Sequence, residues 1–375
     1  MSEPTQETNK LKEVALLFLK LGSTAFGGPA SHIAMMEQEI VQKRKWISPQ
    51  HFLDLIGATN LIPGPNSTEM TMHCGHERAG WKGLITAGVC FLFPAVTLTM
   101  ILAFVYTEYG TLPAVEPFFS GIRPAVIALI LNAVFKLGKK AVKTKELAFY
   151  GLLTFIACVA GLNEIIALFS CGLLVLVVSK VRQKSSLQSF SPLMLSAVLG
   201  NLSQWKIFFS FLKVGALLYG SGYVLFAYLD AELVAKGLLS RQQLLDAIAM
   251  GQFTPGPVLS TATFIGWQLH GFWGALAATL GIFLPSFIFV ALLNPLVAKV
   301  KTVPTFRIFL DGVNVAAVAI ILAVCVSIGK ETFVDWRNIV IAAISVFVVF
   351  RFKKLNSAFI VFGGAALGFL LSMIG

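Results

Sequence analysis

Residues 247–298 read AIAMGQFTPGPVLSTATFIGWQLHGFWGALAATLGIFLPSFIFVALLNPLVA, and they decide the class of fold. The stretch holds no Asp, Glu, Lys or Arg and a single histidine, His270. It is more than twice the roughly 20 residues that a helix needs to cross the hydrocarbon layer of a bilayer. Gly83 to Thr107 is a second uncharged run, again long enough to span. Across the 375 residues, 57% are hydrophobic and 13% charged, against about 25% charged in a soluble domain. The mean hydropathy is +0.81. No single soluble core absorbs that much hydrocarbon, so an all-α polytopic membrane protein is expected, with the lipid bilayer as its surroundings. Met1 to Lys12 is polar and the first apolar segment lacks a small-residue cleavage site, so no cleavable signal peptide is expected.

Outside the apolar runs the charges cluster in connecting segments. The net charge of +11 is explained by basic loops held on the cytoplasmic face, and no nucleic-acid partner is expected. Cys74, Cys90, Cys158, Cys171 and Cys325 mostly sit inside apolar runs, which does not suit a disulfide framework. No Walker loop, dinucleotide fingerprint or nucleophile elbow occurs, so no cofactor is expected and an ATP-driven pump would need another subunit.

An internal repeat organises the chain. Phe18-Leu19-Lys20-Leu21-Gly22 returns as Phe211-Leu212-Lys213-Val214-Gly215, and Gly27-Gly28-Pro29 lines up with Gly220-Ser221-Gly222. Glu37 and Glu39 match Asp230 and Glu232. Ser48 to Pro65 aligns with Ser240 to Pro257, including Asp54 with Asp246 and both Pro-Gly-Pro triplets. The offset is 193 at Phe18/Phe211 and 191 at Gly121/Gly312, too steady for chance. The polar stretch Val181 to Ser191 divides the halves, giving repeats at 1–184 and 185–375.

Loop charges predict how the halves sit. In the first, Tyr106 to Pro117 is acidic while Lys136 to Lys145 carries five lysines. In the second, the loop equivalent to the acidic one, Leu296 to Arg307, is basic, and Lys330 to Arg337 is neutral. Leu162-Asn163 is uncharged, whereas its counterpart Arg351 to Lys354 is strongly basic. Opposite bias in three paired loops predicts inverted-topology repeats, an architecture that places a substrate site at the midplane. The apolar segments before and after Lys43-Arg44-Lys45 are broken by Gly27-Gly28-Pro29 and Pro63-Gly64-Pro65. Arms of about a dozen residues are too short to span, so two re-entrant hairpins are expected, with full kinked spans as the alternative. Residues 83–107, 118–135, 147–163 and 164–179 then cross, and Leu187 to Leu202 must cross once more to flip the second half.

The hairpin tips carry the candidate chemistry. Proline blocks the helix before it and suits the first turn of the next. Asn66, Ser67 and Thr68 follow Pro63-Gly64-Pro65 and supply capping groups. A helix N-terminus at membrane depth is an anion site in waiting, through free N–H groups and the helix dipole. Pro255-Gly256-Pro257, followed by Ser260 and Thr261, repeats the arrangement with fewer polar groups. One such triplet reads as a proline kink; two at equivalent places favour a site. Gly27 and Gly28 can let backbone approach a ligand, or serve close helix packing. Lys20, Lys213 and Arg123 are candidate countercharges inside apolar segments, where ionisable groups are costly; snorkelling is the alternative for the lysines. Glu69 is a proton-coupling candidate, with pairing to a base such as Arg78 as the alternative. His73-Cys74-Gly75-His76-Glu77 does not share one helix face, so no metal site is expected.

With those residues in view, the chain resembles the chromate ion transporter family in its long two-domain form. The resemblance rests on Phe26 to Glu37, on Gly57 to Met70, on Tyr219 to Val224 and on Thr254 to Pro257, and it covers nearly the whole chain. Cys74-Gly75-His76 departs from the family pattern, where an apolar residue, Gly and an aromatic are expected. The resemblance implies export of chromate across a bacterial inner membrane, driven by the membrane potential or a proton gradient, with sulfate as a competing look-alike. Residue patterns alone reach a transporter with an anion site. Sulfate or another oxyanion as the natural substrate, and a passive channel, stay open. A membrane enzyme would need paired carboxylates or a metal cluster, which the repeat lacks. Oligomeric state is open too, a homodimer among the options.

Overall fold

The computed structural model describes residues 3–26, 28–59, 62–110, 115–182, 204–219, 224–293, 304–352 and 355–374. Gly27, Gly220-Ser221-Gly222 and the expected extra crossing at Leu187 to Leu202 lie outside them. Among the described residues there are helices and turns and no strand.

The first half contains α1 (Glu3–Thr24), α2 (Pro29–Met36), α3 (Pro49–Thr59), α4 (Asn66–Tyr109), α5 (Glu116–Ala141), α6 (Lys145–Val159) and α7 (Glu164–Arg182). The second contains α8 (Gln204–Leu217), α9 (Val224–Leu229), α10 (Arg241–Phe253), α11 (Thr261–Leu293), α12 (Pro304–Thr332), α13 (Trp336–Arg351) and α14 (Ser357–Ser372). The repeat extends to irregularities. Helix α2 runs on as π-helix over Glu37–Lys43, and α9 does so over Asp230–Val234. Among the described residues, five helices are long and apolar enough to cross a membrane: α4, α5, α7, α11 and α12. Phe93, Phe347, Phe359 and Trp273 are each more than 60% exposed, an apolar surface that suits lipid and not water.

Helices α4 and α11 are each two arms. Ala79-Gly80 and His270-Gly271 leave helical geometry, with φ of +59° at Gly80 and +56° at Gly271. A Cβ on Gly75 would strike the Gly83 carbonyl, and one on Gly266 would strike that of Gly274. Eight residues along a straight helix lie about 12 Å apart, so the chain turns back on itself at both places. The short arms 66–79 and 261–270 therefore complete second re-entrant hairpins with α3 and α10. In the first hairpin, α1 is longer than the expected dozen residues, because the polar residues from Glu3 onward continue the helix.

Equivalent helices α5 and α12 pack against each other and run antiparallel. The Lys143 ammonium just beyond the end of α5 bonds Asp311 near the start of α12 at 2.7 Å, whereas Ser120 near the start of α5 reaches Asn338, beyond the end of α12. The halves are thus inverted relative to one another. They are also intertwined. Helices α13 and α14 pack on α5, and α6 and α7 pack on α12. Glycines allow the approach: a Cβ on Gly121 would strike the Gly364 carbonyl, and one on the equivalent Gly312 would meet Gly172 Cα at 2.9 Å.

Candidate functional site

Both Pro-Gly-Pro tips meet the residues that directly follow α1 and α8. The Gly64 amide donates to the Leu218 carbonyl at 2.7 Å, and the Gly256 amide donates to the Ala25 carbonyl at 2.8 Å. Gly64 and Gly256 are repeat mates, as are Ala25 and Leu218. Each Pro-Gly-Pro tip is therefore bonded to the first hairpin of the other half. Free N–H groups are expected at these tips from the sequence; the two glycine amides are instead occupied by protein carbonyls. Both glycines need left-handed backbone, with φ of +143° and +88°.

The two tips differ in what surrounds them. A Cβ on Gly256 would meet Ala95 Cβ at 2.9 Å. One on Gly64 would run into Glu69 Oε1 and meet Ser286 Oγ at 2.6 Å. Ser67, Thr68, Glu69, Ser260 and Thr261 are all buried. In the second half the hydroxyls have local partners: Ser260 with Thr254 at 3.2 Å, and Thr261 donating to the Val258 carbonyl at 2.8 Å. Around the first-half tip, the Thr68 hydroxyl, both Glu69 carboxyl oxygens and the hydroxyl of Ser286, which α11 brings in from the second half, are buried without a hydrogen-bond partner among the described residues. Arg78, the alternative partner for Glu69, bonds Glu13 at 2.6 Å instead.

A cavity of about 190 Å³ opens beside this polar tip, lined among others by Ile62, Asn66, Lys140, Lys143, Asp311 and Asn314. Asn66 thus lines the cavity together with the lysine-rich end of α5. Pro63 and Pro65 hold the loop that presents Asn66 as the first residue of α4.

The basic residues chosen from sequence all have acidic partners. Lys20 lies 3.4 Å from Glu39 and Lys213 lies 3.1 Å from Glu232, with Lys43 and Lys236 completing equivalent clusters at 2.9 and 2.7 Å. Arg44 also bonds Glu39. Hydrogen bonds from Lys43 and then Arg44 hold the Glu39 carboxyl down at about 2. The lysines tie the arms of their hairpins together instead of standing at the tips. Arg123 bonds both carboxylate oxygens of Asp246, at 2.9 and 3.0 Å, and the Tyr106 hydroxyl donates to the same carboxylate at 2.8 Å. Asp246 was visible only as the repeat mate of Asp54, and Tyr106 and Ser286 were not singled out; Pro285, the repeat mate of Pro94, was the available pointer to Ser286. Gly28, at φ of +82°, forms the bend before α2.

His73, Cys74 and His76 do not converge, and no group of His, Cys, Asp and Glu able to hold a metal occurs among the described residues. The five cysteines are free thiols.

The sequence model of the chromate transporter family matches residues 12–176 and again 205–369. A chromate transport protein of Cupriavidus metallidurans is 30% identical, over 97% of this chain and 94% of its own length. A probable chromate transport protein of Synechococcus elongatus is 30% identical over 96% and 95%. A chromate transport protein of Pseudomonas aeruginosa is 31% identical over 84% and 80%. No solved structure matches the chain.

Proposed function

The chain belongs to the chromate transporter family, and we propose that it is a secondary transporter that exports chromate from the cytoplasm of a bacterium across the inner membrane. The oxyanion enters from the lysine-lined cavity and binds at the first-half tip, where Asn66, Ser67 and Thr68 begin α4. The observation that carries this is the reciprocal bonding of the two Pro-Gly-Pro tips across the halves. It puts a backbone junction shared by the inverted repeats next to a cavity lined by Lys140 and by the Lys143–Asp311 pair. A dianion in a low-dielectric interior needs several donors, and a helix start supplies them without titratable groups. Alternating access then follows from rocking one intertwined half against the other about this junction. The membrane potential or a proton gradient supplies the drive. Sulfate is close enough in charge and shape to compete.

Uptake of labelled chromate into inside-out vesicles tests the proposal. Saturable uptake with counterflow, inhibited by sulfate, is expected. Non-saturable flux without counterflow would make the chain a channel, and uptake of sulfate with exclusion of chromate would change the substrate.

A further inference from the structure

Glu69 and Ser286 face each other across Gly64, one from each half, and apart from one another neither side chain has a hydrogen-bond partner among the described residues. Glu69 is 0% exposed. A buried carboxylate without a partner is costly in its charged form, while its place in the first turn of α4 favours negative charge through the helix dipole. Effects of opposite sign thus meet on one group beside the proposed anion site. At the second tip the equivalent positions differ: Thr261 stands for Glu69 and Ala95 for Ser286, and Thr261 is satisfied locally.

We infer that Glu69, with Ser286, is a proton site that fills together with the oxyanion, one proton per transport cycle. The inference rests on the tip being the anion site. A dianion at Asn66 stands about one helical turn from Glu69. A charged carboxylate there repels it, whereas a carboxylic acid is a neutral O–H donor. Anion and proton therefore bind more tightly together than apart, and each strengthens the other by the same factor. The proton comes from the cytoplasm with chromate and leaves with it. No bond of the anion breaks, and one net negative charge crosses per dianion instead of two. An inside-negative potential then drives export, while an alkaline cytoplasm opposes it, which separates the two energy sources left open above.

The other titratable groups facing Glu69 are Tyr219, which follows α8 and senses its charge, and His73, one turn further along α4 and buried. Helix α11 contributes Ser286 and carries no Asp, Glu, Lys or Arg. His32 of α2 is turned to the Ala25 carbonyl and the Phe91 ring.

The test uses sulfate as binding probe, because it stays a dianion across the pH range that matters, and chromate for transport. With purified full-length protein, the sulfate dissociation constant should rise about tenfold per pH unit once Glu69 loses its proton, and less than twofold in Glu69→Gln. In proteoliposomes, protons should move with chromate in the same direction for the wild type and not for Glu69→Gln. If that variant fails to insert, Ser286→Ala carries the test and should weaken the pH dependence several-fold. Wild-type transport of chromate without proton movement would overturn the proton site while leaving the transport proposal standing. Loss of the pH dependence in His73→Gln with its survival in Glu69→Gln would overturn it as well. Absence of any chromate or sulfate binding in the wild type would instead end the anion-site proposal on which it rests.

Discussion

The Gly64 amide is held by the Leu218 carbonyl at 2.7 Å, a bond between halves that share no sequence neighbourhood. Its mate, Gly256 to Ala25, makes the contact reciprocal, as a two-fold relation between inverted repeats requires. Neither half can complete its hairpin without the other, and the exchange of α6 and α7 for α13 and α14 extends that dependence to the outer helices. Substrate access and the packing of the two halves are therefore one physical question.

A side chain at either tip glycine should be harmful for different reasons. Gly64→Ala pushes on the buried Glu69 carboxyl, a side-chain end, whereas Gly256→Ala meets the Ala95 methyl, fixed to its backbone, at 2.9 Å. Both force left-handed backbone on a residue with a Cβ, at about 1–2 kcal/mol. Adding Ala95→Gly should recover part of the melting temperature lost in Gly256→Ala and none of that lost in Gly64→Ala. Thermal unfolding in detergent reads both, and equal recovery in the two would discard the contact.

Arg123 and Asp246 form a bidentate pair with side chains 17% and 1% exposed. Removing one partner strands a buried charge and typically costs about 3–5 kcal/mol, while removing both with apolar residues costs much less. Asp246→Leu alone should thus destabilise more than the Arg123→Leu/Asp246→Leu double variant. A double-mutant cycle on unfolding measures it; strict additivity would mean that the pair contributes nothing.

Much of this was legible in the sequence. Glycine and proline breaks are local, so the hairpins and the repeat could be read from Gly28-Pro29 and Pro63-Gly64-Pro65, and loop charge gave the inversion. Partnerships between distant residues could not. Arg123 finds Asp246 in the other half, and nothing near either residue names the other. Lys20 looked free because Glu39 lies in a π-helical turn, which rotates the following side chains off the ordinary helical face. The sharp reversal at His270-Gly271 was hidden because no charged loop marks it, unlike Glu77 to Lys82 in the first half.

Inversion has a labelling consequence. Glu116 and Arg307 are repeat mates at the starts of α5 and α12. Single cysteines there, in a background without native cysteines, should be labelled by an impermeant thiol reagent from opposite sides of the membrane. Cysteines at Lys143 and Asp311 should be labelled from one side, that of Arg307. Labelling of positions 116 and 307 from the same side would contradict the antiparallel arrangement.

Glu39 should make stability depend on pH. Its carboxyl titrates near 2 in the folded chain against 4.5 ordinarily, held by Lys43 and Arg44. A lowered folded value stabilises fully above about pH 4.5 and is lost as pH falls toward about 2. Wild-type melting temperature should therefore drop between pH 5 and pH 3, at a slope that Glu39→Gln reduces. An unchanged slope in that variant would assign the acid sensitivity to other carboxylates.

Asn66 is the side chain through which the tip, the cavity and the substrate can be tested together. It begins α4, faces the cavity, and shares that space with Lys140 and Lys143. If it donates to the oxyanion, the bond is charge-assisted, and losing it costs about 1.5–3 kcal/mol, or roughly ten- to a hundredfold in affinity. Asn66→Ala should raise the half-saturating chromate concentration by that factor, with smaller effect on the maximal rate, since the loaded state still rocks. Lys140→Gln should act differently. That lysine lines the cavity at the end of α5, where a solvated cation raises the local anion concentration and is screened by salt, so its loss should slow uptake at low ionic strength and matter little at high. Asn66→Ala should keep its defect at both. A defect in Asn66→Ala that vanished in salt would make it part of the electrostatic entrance, and the bound oxyanion would then have to be sought deeper, at Thr68 and Ser286.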